Sequence, residues 1–156
     1  MSDLWIHPSL LLFAGAVLLP LVPGFLRKAW LLAVPSAAFL RVLTLASGEF
    51  GRVSFLDWSL VFGRVDAMSL MFAYILSMMA ILGTLYGLHV RGAGEHAASW
   101  VYAGGSLGAV LAGDLLTLFL FWEVMAFSSV FLVWLRRTPA ALGAGYRYLL
   151  VHTAGG

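Results

Sequence analysis

The feature that most constrains this chain is the run from Leu115 to Leu135, LLTLFLFWEVMAFSSVFLVWL, 21 residues that carry a single charge, Glu123. As a helix it is long enough to cross a hydrocarbon layer of about 30 Å. A carboxylate in the middle of such a helix costs about 2.5–3.5 kcal/mol to insert, which water or a basic partner must offset. At 100° per residue the face centred on Glu123 carries Leu116, Phe119, Leu120, Ala126, Phe127 and Val130, so no neighbour on its own helix can hydrogen-bond or neutralise it. Its partner has to come from another helix. Glu123 is therefore a candidate proton-handling residue; the alternative is a protonated acid that ties two helices together by a hydrogen bond. Asp114, nine positions earlier, falls on the opposite side and about 13 Å along the axis, and reads as an N-cap.

The rest of the chain has the same character. With 62% hydrophobic and 10% charged residues it lies far outside soluble composition. The reading is an all-α integral membrane protein of about six transmembrane helices, over residues 8–26, 29–47, 67–88, 97–113, 115–135 and 139–156, the last incomplete. Pro20 and Pro23 bend or shorten the end of the first span, and Pro35 and Arg41 interrupt the second. Between spans 2 and 3, Gly48 to Arg64 alternates polar with apolar residues and has glycine at both ends, which fits a short β-hairpin or an amphipathic surface segment. Asp66 caps span 3, Thr138 and Pro139 open span 6, and Gly104 with Gly108 gives span 4 a bare side for close helix packing within the chain. MSDLWIHPSL has no basic start and contains Asp3, which argues against a cleaved signal peptide.

Several classes are excluded or demoted. The net charge of +2 comes from basic residues scattered at the ends of apolar runs, so nucleic acid is not an expected partner, whereas the bilayer is. There are no cysteines, which removes disulfides, thiolate metal sites and thiol catalysis. Met68, Met71, Met78 and Met79 read as lipid-facing or packing residues and not as soft-metal ligands. His89 and His96 bracket a polar turn and read as solvated loop histidines. No metal site, cofactor or enzymatic activity is expected; Ser128 and Ser129 sit at lipid depth without an accessible base.

Orientation follows from the cations. Arg27, Lys28, Arg91, Arg136 and Arg137 fall at one end of the spans, and Arg52 and Arg64 at the other, which puts the first set in the cytoplasm and the N-terminus outside, in a multi-pass protein of the cell's inner membrane. His152 then lies at nearly the depth of Glu123, either as a polar packing residue or as its partner in a proton relay. Arg41 is a secondary site candidate. Its long side chain can reach the interface, and a buried ion pair is the alternative.

The stretch AGDLLTLFLFWEVMAFSSVFLVWLRRTPAALGAGYRYLLVHTAGG, preceded by VDAMSLMFAYILSMMAILGTLYGLHVRGAGEHAA, closely resembles the N-terminal part of the antiporter-like membrane subunits of respiratory complex I, membrane-bound hydrogenases and Mrp-type multisubunit cation/proton antiporters. Its nearest likeness is the Mrp D subunit. The resemblance implies a proton-conducting subunit in which Glu123 is a principal protonatable residue. It also implies other subunits of a membrane antiporter or respiratory complex as partners. Members of that family have about fourteen helices, with an inverted repeat of about five that begins at the fourth and a lysine partner for the glutamate on the seventh. The expectation for these residues is therefore a fragment or split half, with a second polypeptide supplying helices 7 onward. Two other functions stand beside the antiporter: a membrane-arm subunit of a complex I-like NADH:quinone oxidoreductase or membrane-bound hydrogenase, and a non-transporting scaffold or decayed fragment.

Overall fold

The computed structural model describes residues 5–56 and 58–155. Asp3 and Asp57, and Gly156 at the end of the expected sixth span, lie outside the described residues. Six α-helices are present among the described residues: α1 (Pro8–Leu18), α2 (Gly24–Leu43), α3 (Ala67–Gly87), α4 (Ala93–Leu111), α5 (Leu115–Trp134) and α6 (Pro139–Gly155). Between α2 and α3 stands an antiparallel hairpin of β1 (Gly48–Phe55) and β2 (Trp58–Val65), in register from Gly48↔Val65 to Phe55↔Trp58. Of the two alternatives for this segment, the hairpin is the one formed.

The first two helices divide differently from the expected 8–26 and 29–47. α1 gives way at Leu18 to a 3₁₀ turn, Leu19–Leu21, that contains Pro20, and α2 begins at Gly24 with Pro23 as its N-cap. A proline lacks the N–H that continues a helix and its ring disfavours helical geometry in the residue before it. Phe25 and Leu26 consequently belong to α2, together with Arg27 and Lys28. Pro35 is accommodated inside α2 and buried. α4 likewise starts at Ala93, before the expected 97, and takes in Glu95 and His96.

α4 is the hub, packing on α1, α3 and α5; α2 packs on α1 and α3, and α6 on α5. The core runs through Leu12, Leu19, Leu31, Ala38, Val42, Ala73, Trp100, Leu107 and Leu111. Two indoles cross-link it, Trp100 Nε1 donating to Thr84 Oγ1 at 2.9 Å and Trp30 Nε1 to the Gly15 carbonyl at 3.2 Å. Gly105 and Gly108 let α5 approach: a Cβ at Gly105 would lie 3.2 Å from the Phe121 carbonyl oxygen, and one at Gly108 within 2.1 Å of the Phe121 ring. Gly104 instead receives Phe13 of α1. The two glycines of the G-x-x-x-G thus serve two different contacts within the chain.

The outward faces are apolar. Phe25, Leu115, Leu150 and Val151 are largely exposed, as are Met68, Met71, Met78 and Met79. α3 and α5 are the two helices long and apolar enough to cross a membrane, and only 22% of each apolar window is buried. A core helix of a water-soluble fold would show the reverse, because its apolar surface would be removed from water.

Candidate functional site on helices 5 and 6

The site is built from the N-terminus of α5 downward. Asp114 caps the helix, accepting from the Thr117 N–H at 2.8 Å and from its hydroxyl at 2.6 Å, and its second role is to accept from the Val61 N–H at 2.7 Å. Gly113 N–H donates to the Val61 carbonyl at 2.9 Å, so the loop before α5 is clamped to β2 in both directions. Burial pushes the Asp114 carboxyl up, but the hydrogen bonds from Thr117, Val61 and Leu116 outweigh it and hold the group below its ordinary value. α5 therefore leaves a fixed platform, and Glu123 follows two and a half turns later.

The loop Leu135–Thr138 turns the chain through Arg137, whose φ of +54° is left-handed, and the Thr138 hydroxyl accepts from the Ala141 N–H at 3.1 Å to cap α6. α6 returns antiparallel to α5, and Glu123 and His152 meet at the same depth. Glu123 Oε1 lies 4.0 Å from His152 Nε2, with both side chains about three-quarters covered. That separation is ion-pair range if the imidazole is charged and too long for a hydrogen bond. A direct bond from a protonated Glu123 is thus not the present arrangement.

Trp122 and Tyr148, which sequence reasoning missed, complete the site, with Ser129, read from the sequence only as a serine at lipid depth, beside them. Trp122 Nε1 donates to His152 Nε2 at 3.2 Å, and its ring lies 6.4 Å from the imidazole at 24°. Tyr148, one turn before His152, stacks on it at 6.0 Å and 8°, and Ser129 Oγ lies 3.1 Å from the Tyr148 hydroxyl. The signal for Tyr148 was its i, i+4 spacing to His152; Trp122 carried none beyond its adjacency to Glu123. An open cleft of about 390 Å³, lined by Leu115, Leu118, Phe119, Trp122, Val151, His152 and Gly155, runs beside them. The polar atoms are therefore reached along an apolar wall.

Arg41 is not brought to this site. It sits at the far end of α2, where Nε donates to the Ile6 carbonyl at 3.0 Å and one terminal nitrogen to Thr44 Oγ1 at 2.8 Å. It reaches the end of the bundle, as its long side chain allows, and among the described residues it makes no ion pair. His96 is a correction: it is buried in α4, not solvated in a loop, with Nε2 3.1 Å from the Val90 carbonyl. The helix starts at Ala93 instead of the expected 97 and carries His96 under Gly87 of α3. His89 does lie at the surface, its Nδ1 2.8 Å from the Tyr86 carbonyl.

Known proteins share both the sequence pattern and the fold. No protein-family model matches the chain. It is 28% identical over 160 residues to the Na(+)/H(+) antiporter A1 subunit of Staphylococcus aureus, an alignment covering 90% of this chain and 20% of that protein. The same protein from strain Newman gives the same figures. The chain thus spans about a fifth of the length of these relatives. Among solved structures, the fold matches a chain from "Structure of the membrane-bound sulfane sulfur reductase (MBS), an archaeal respiratory membrane complex" with a TM-score of 0.74 at 18% identity, over 96% of this chain and 33% of that one. The chain is a membrane protein distantly homologous to the A-type subunits of Na⁺/H⁺ antiporters, and its fold is one also found in a respiratory membrane complex.

Proposed function

We propose that these residues form the N-terminal part of a proton-translocating membrane subunit of a multisubunit monovalent cation/proton antiporter, with Glu123 as the group that carries the proton and His152 as its immediate neighbour on the path. The observation that carries this reading is the pair itself: a carboxylate in the middle of an apolar helix with an imidazole nitrogen 4.0 Å away on the antiparallel neighbour. Intramembrane acid and histidine pairs are expensive to insert and mark proton paths. Relatedness to the A1 protein supports the antiporter class, and the residue-level likeness to D subunits supports a place in the A/D group. The relative's name supports sodium as the coupled ion. Six membrane-spanning helices with the Arg27, Arg91 and Arg136 end in the cytoplasm complete the reading, and helices beyond these residues, in this polypeptide or another, complete the path. The fold likeness to a respiratory complex favours one second reading, a membrane-arm subunit of a redox-driven complex.

The test is transport in vesicles that contain the assembled complex, with its abundance measured in parallel. Glu123→Gln keeps volume and hydrogen bonding but cannot ionise, so assembly should survive and proton-coupled transport should fall to background. Glu123→Asp should retain part of the activity. Normal transport in the Gln variant would leave Glu123 as a structural contact and the chain as a scaffold.

A further inference from the structure

The donor set around His152 restricts what that residue can do. An indole N–H donates and never accepts, so the bond from Trp122 Nε1 at 3.2 Å requires an unprotonated Nε2. Where that bond is made, the ring proton sits on Nδ1. The atom that Trp122 occupies is also the one nearest Glu123, at 4.0 Å. One nitrogen thus has two suitors, a donor that demands its lone pair and an acid that can give it a proton. It cannot satisfy both.

We propose that Trp122 is a positioning residue that holds His152 in the Nδ1–H tautomer and keeps Nε2 aimed between the two helices, so that proton exchange with Glu123 proceeds by a change of partner at Nε2. The inference rests on the reading of Glu123 as a proton carrier and adds a device to it. In the step, the Glu123 O–H bond breaks and an Nε2–H bond forms with the lone pair that had accepted from Trp122. A carboxylate and an imidazolium result, and the indole N–H stays intact but loses its acceptor. The new N–H points to a carboxylate instead of an indole, and closing 4.0 Å to a charge-assisted bond requires a movement of roughly 1 Å. Trp122 is half exposed in the open cleft and Val151 beside it is exposed, so that movement meets little packing. The return of the proton restores the Trp122 bond and resets the site.

The other groups facing His152 fit this assignment. α6 packs against α5, whose titratable group on this side is Glu123; on α6 itself Tyr148 stacks flat on the imidazole and offers its ring, with its hydroxyl directed to Ser129. Arg147 is turned along α6, with a terminal nitrogen near Gly143. Nothing else described competes with Trp122 and Glu123 for Nε2.

The experiment is nitrogen NMR on the assembled complex in lipid, with histidine and tryptophan of this chain labelled with ¹⁵N. In the wild type the neutral His152 ring should show a single tautomer, protonated at Nδ1. Trp122→Phe should lose that single state and give a mixture of tautomers, while Glu123→Gln, which leaves the indole in place, should keep it. When His152 is protonated in the wild type, the Trp122 indole resonance should shift with it. An Nε2–H tautomer in the wild type, an unchanged tautomer in Trp122→Phe, or an indole resonance that stays still as His152 takes its proton would each overturn the proposal. These readouts do not depend on transport, so failure of the carrier role in Glu123→Gln vesicles is a separate result. If both readings hold, Trp122→Phe should also slow proton-coupled transport several-fold at unchanged complex abundance.

Discussion

His7 shows how much one residue can be made to do by its surroundings. Its Nδ1 accepts from the Ser9 N–H at 3.1 Å and so caps α1, its ring lies 5.5 Å from Phe121 of α5, and Trp5 stands edge-on to it at 4.9 Å. Burial lowers its pKa from 6.5 to about 4; the Phe62 carbonyl, near but outside hydrogen-bond geometry, opposes this, and Arg41 adds to it. The folded value is below the unfolded one, so between the two the unfolded chain holds the extra proton. The stabilisation is complete above about pH 6.5 and is lost as pH falls toward 4, an effect on the order of 3 kcal/mol. His7→Asn keeps an N-cap of equal quality without a titrating ring. Melting temperatures in detergent should therefore drop between pH 6.5 and 4 in the wild type and stay nearly level across that range in the variant.

At the level of elements, the hairpin and the start of α5 behave as one clamp. Trp5 stacks on Phe50 of β1 at 5.4 Å, and its indole crosses Gly51 and Gly63, where a Cβ at Gly63 would fall within 2.2 Å of the ring. Gly51 also holds a φ of +64°, which a side chain would strain. Asp66 ends the hairpin and caps α3, and the Ser69 N–H leads the hydrogen bonds that hold its carboxyl below the usual range. Asp114 does the same for α5. Both carboxylates stabilise the fold at pH above their ordinary values, and that contribution is lost as pH falls and they protonate. The α4–α5 contact depends on a different device, the missing side chains at Gly105 and Gly108. Gly108→Ala would push Phe121, which itself carries His7 and lies against Phe62 at 6.3 Å. The expected cost is about 1–3 kcal/mol, read as a lower melting temperature together with loss of protease protection in the hairpin. Gly83→Ala, where a Cβ meets nothing within 4 Å, is the control that should lower neither, since alanine is the better helix former.

For the whole molecule, the up-and-down order of six helices gathers Arg27, Lys28, Arg91, Arg136 and Arg137 at one end and the hairpin, Arg41 and Asp114 at the other. The Arg27 guanidinium lies 3.4 Å from the Arg91 carbonyl, which joins the first and second turns at the basic end. The apolar exterior and the cation asymmetry predict that reporters fused after Lys28, Arg91 and Arg137 signal from the cytoplasm and one fused at Ser54 of β1 from the outside. A cytoplasmic signal at Ser54 would overturn both the orientation and the depth assigned to Glu123.

What the sequence determined alone was the number of helices, the caps at Asp66, Asp114 and Thr138, and the isolation of Glu123 on its own helix; for the segment between α2 and α3 it left a hairpin and an amphipathic surface segment both open. These are local or one-dimensional properties: apolar length, alternation, proline and N-cap chemistry act over a few residues and need no knowledge of what packs where. Matched depth along two antiparallel helices was also legible: it set His152 at nearly the depth of Glu123 and left a packing role and a relay role both open. Only the tertiary structure decided the rest. Whether Trp122 turns toward α6, whether His96 is covered by α3, and whether His7 lies against Phe121 depend on how each helix is rotated about its axis. That rotation is set by the summed packing of all its neighbours, here the glycine contacts of α4 with Phe13 and Phe121, and no single stretch of sequence contains it.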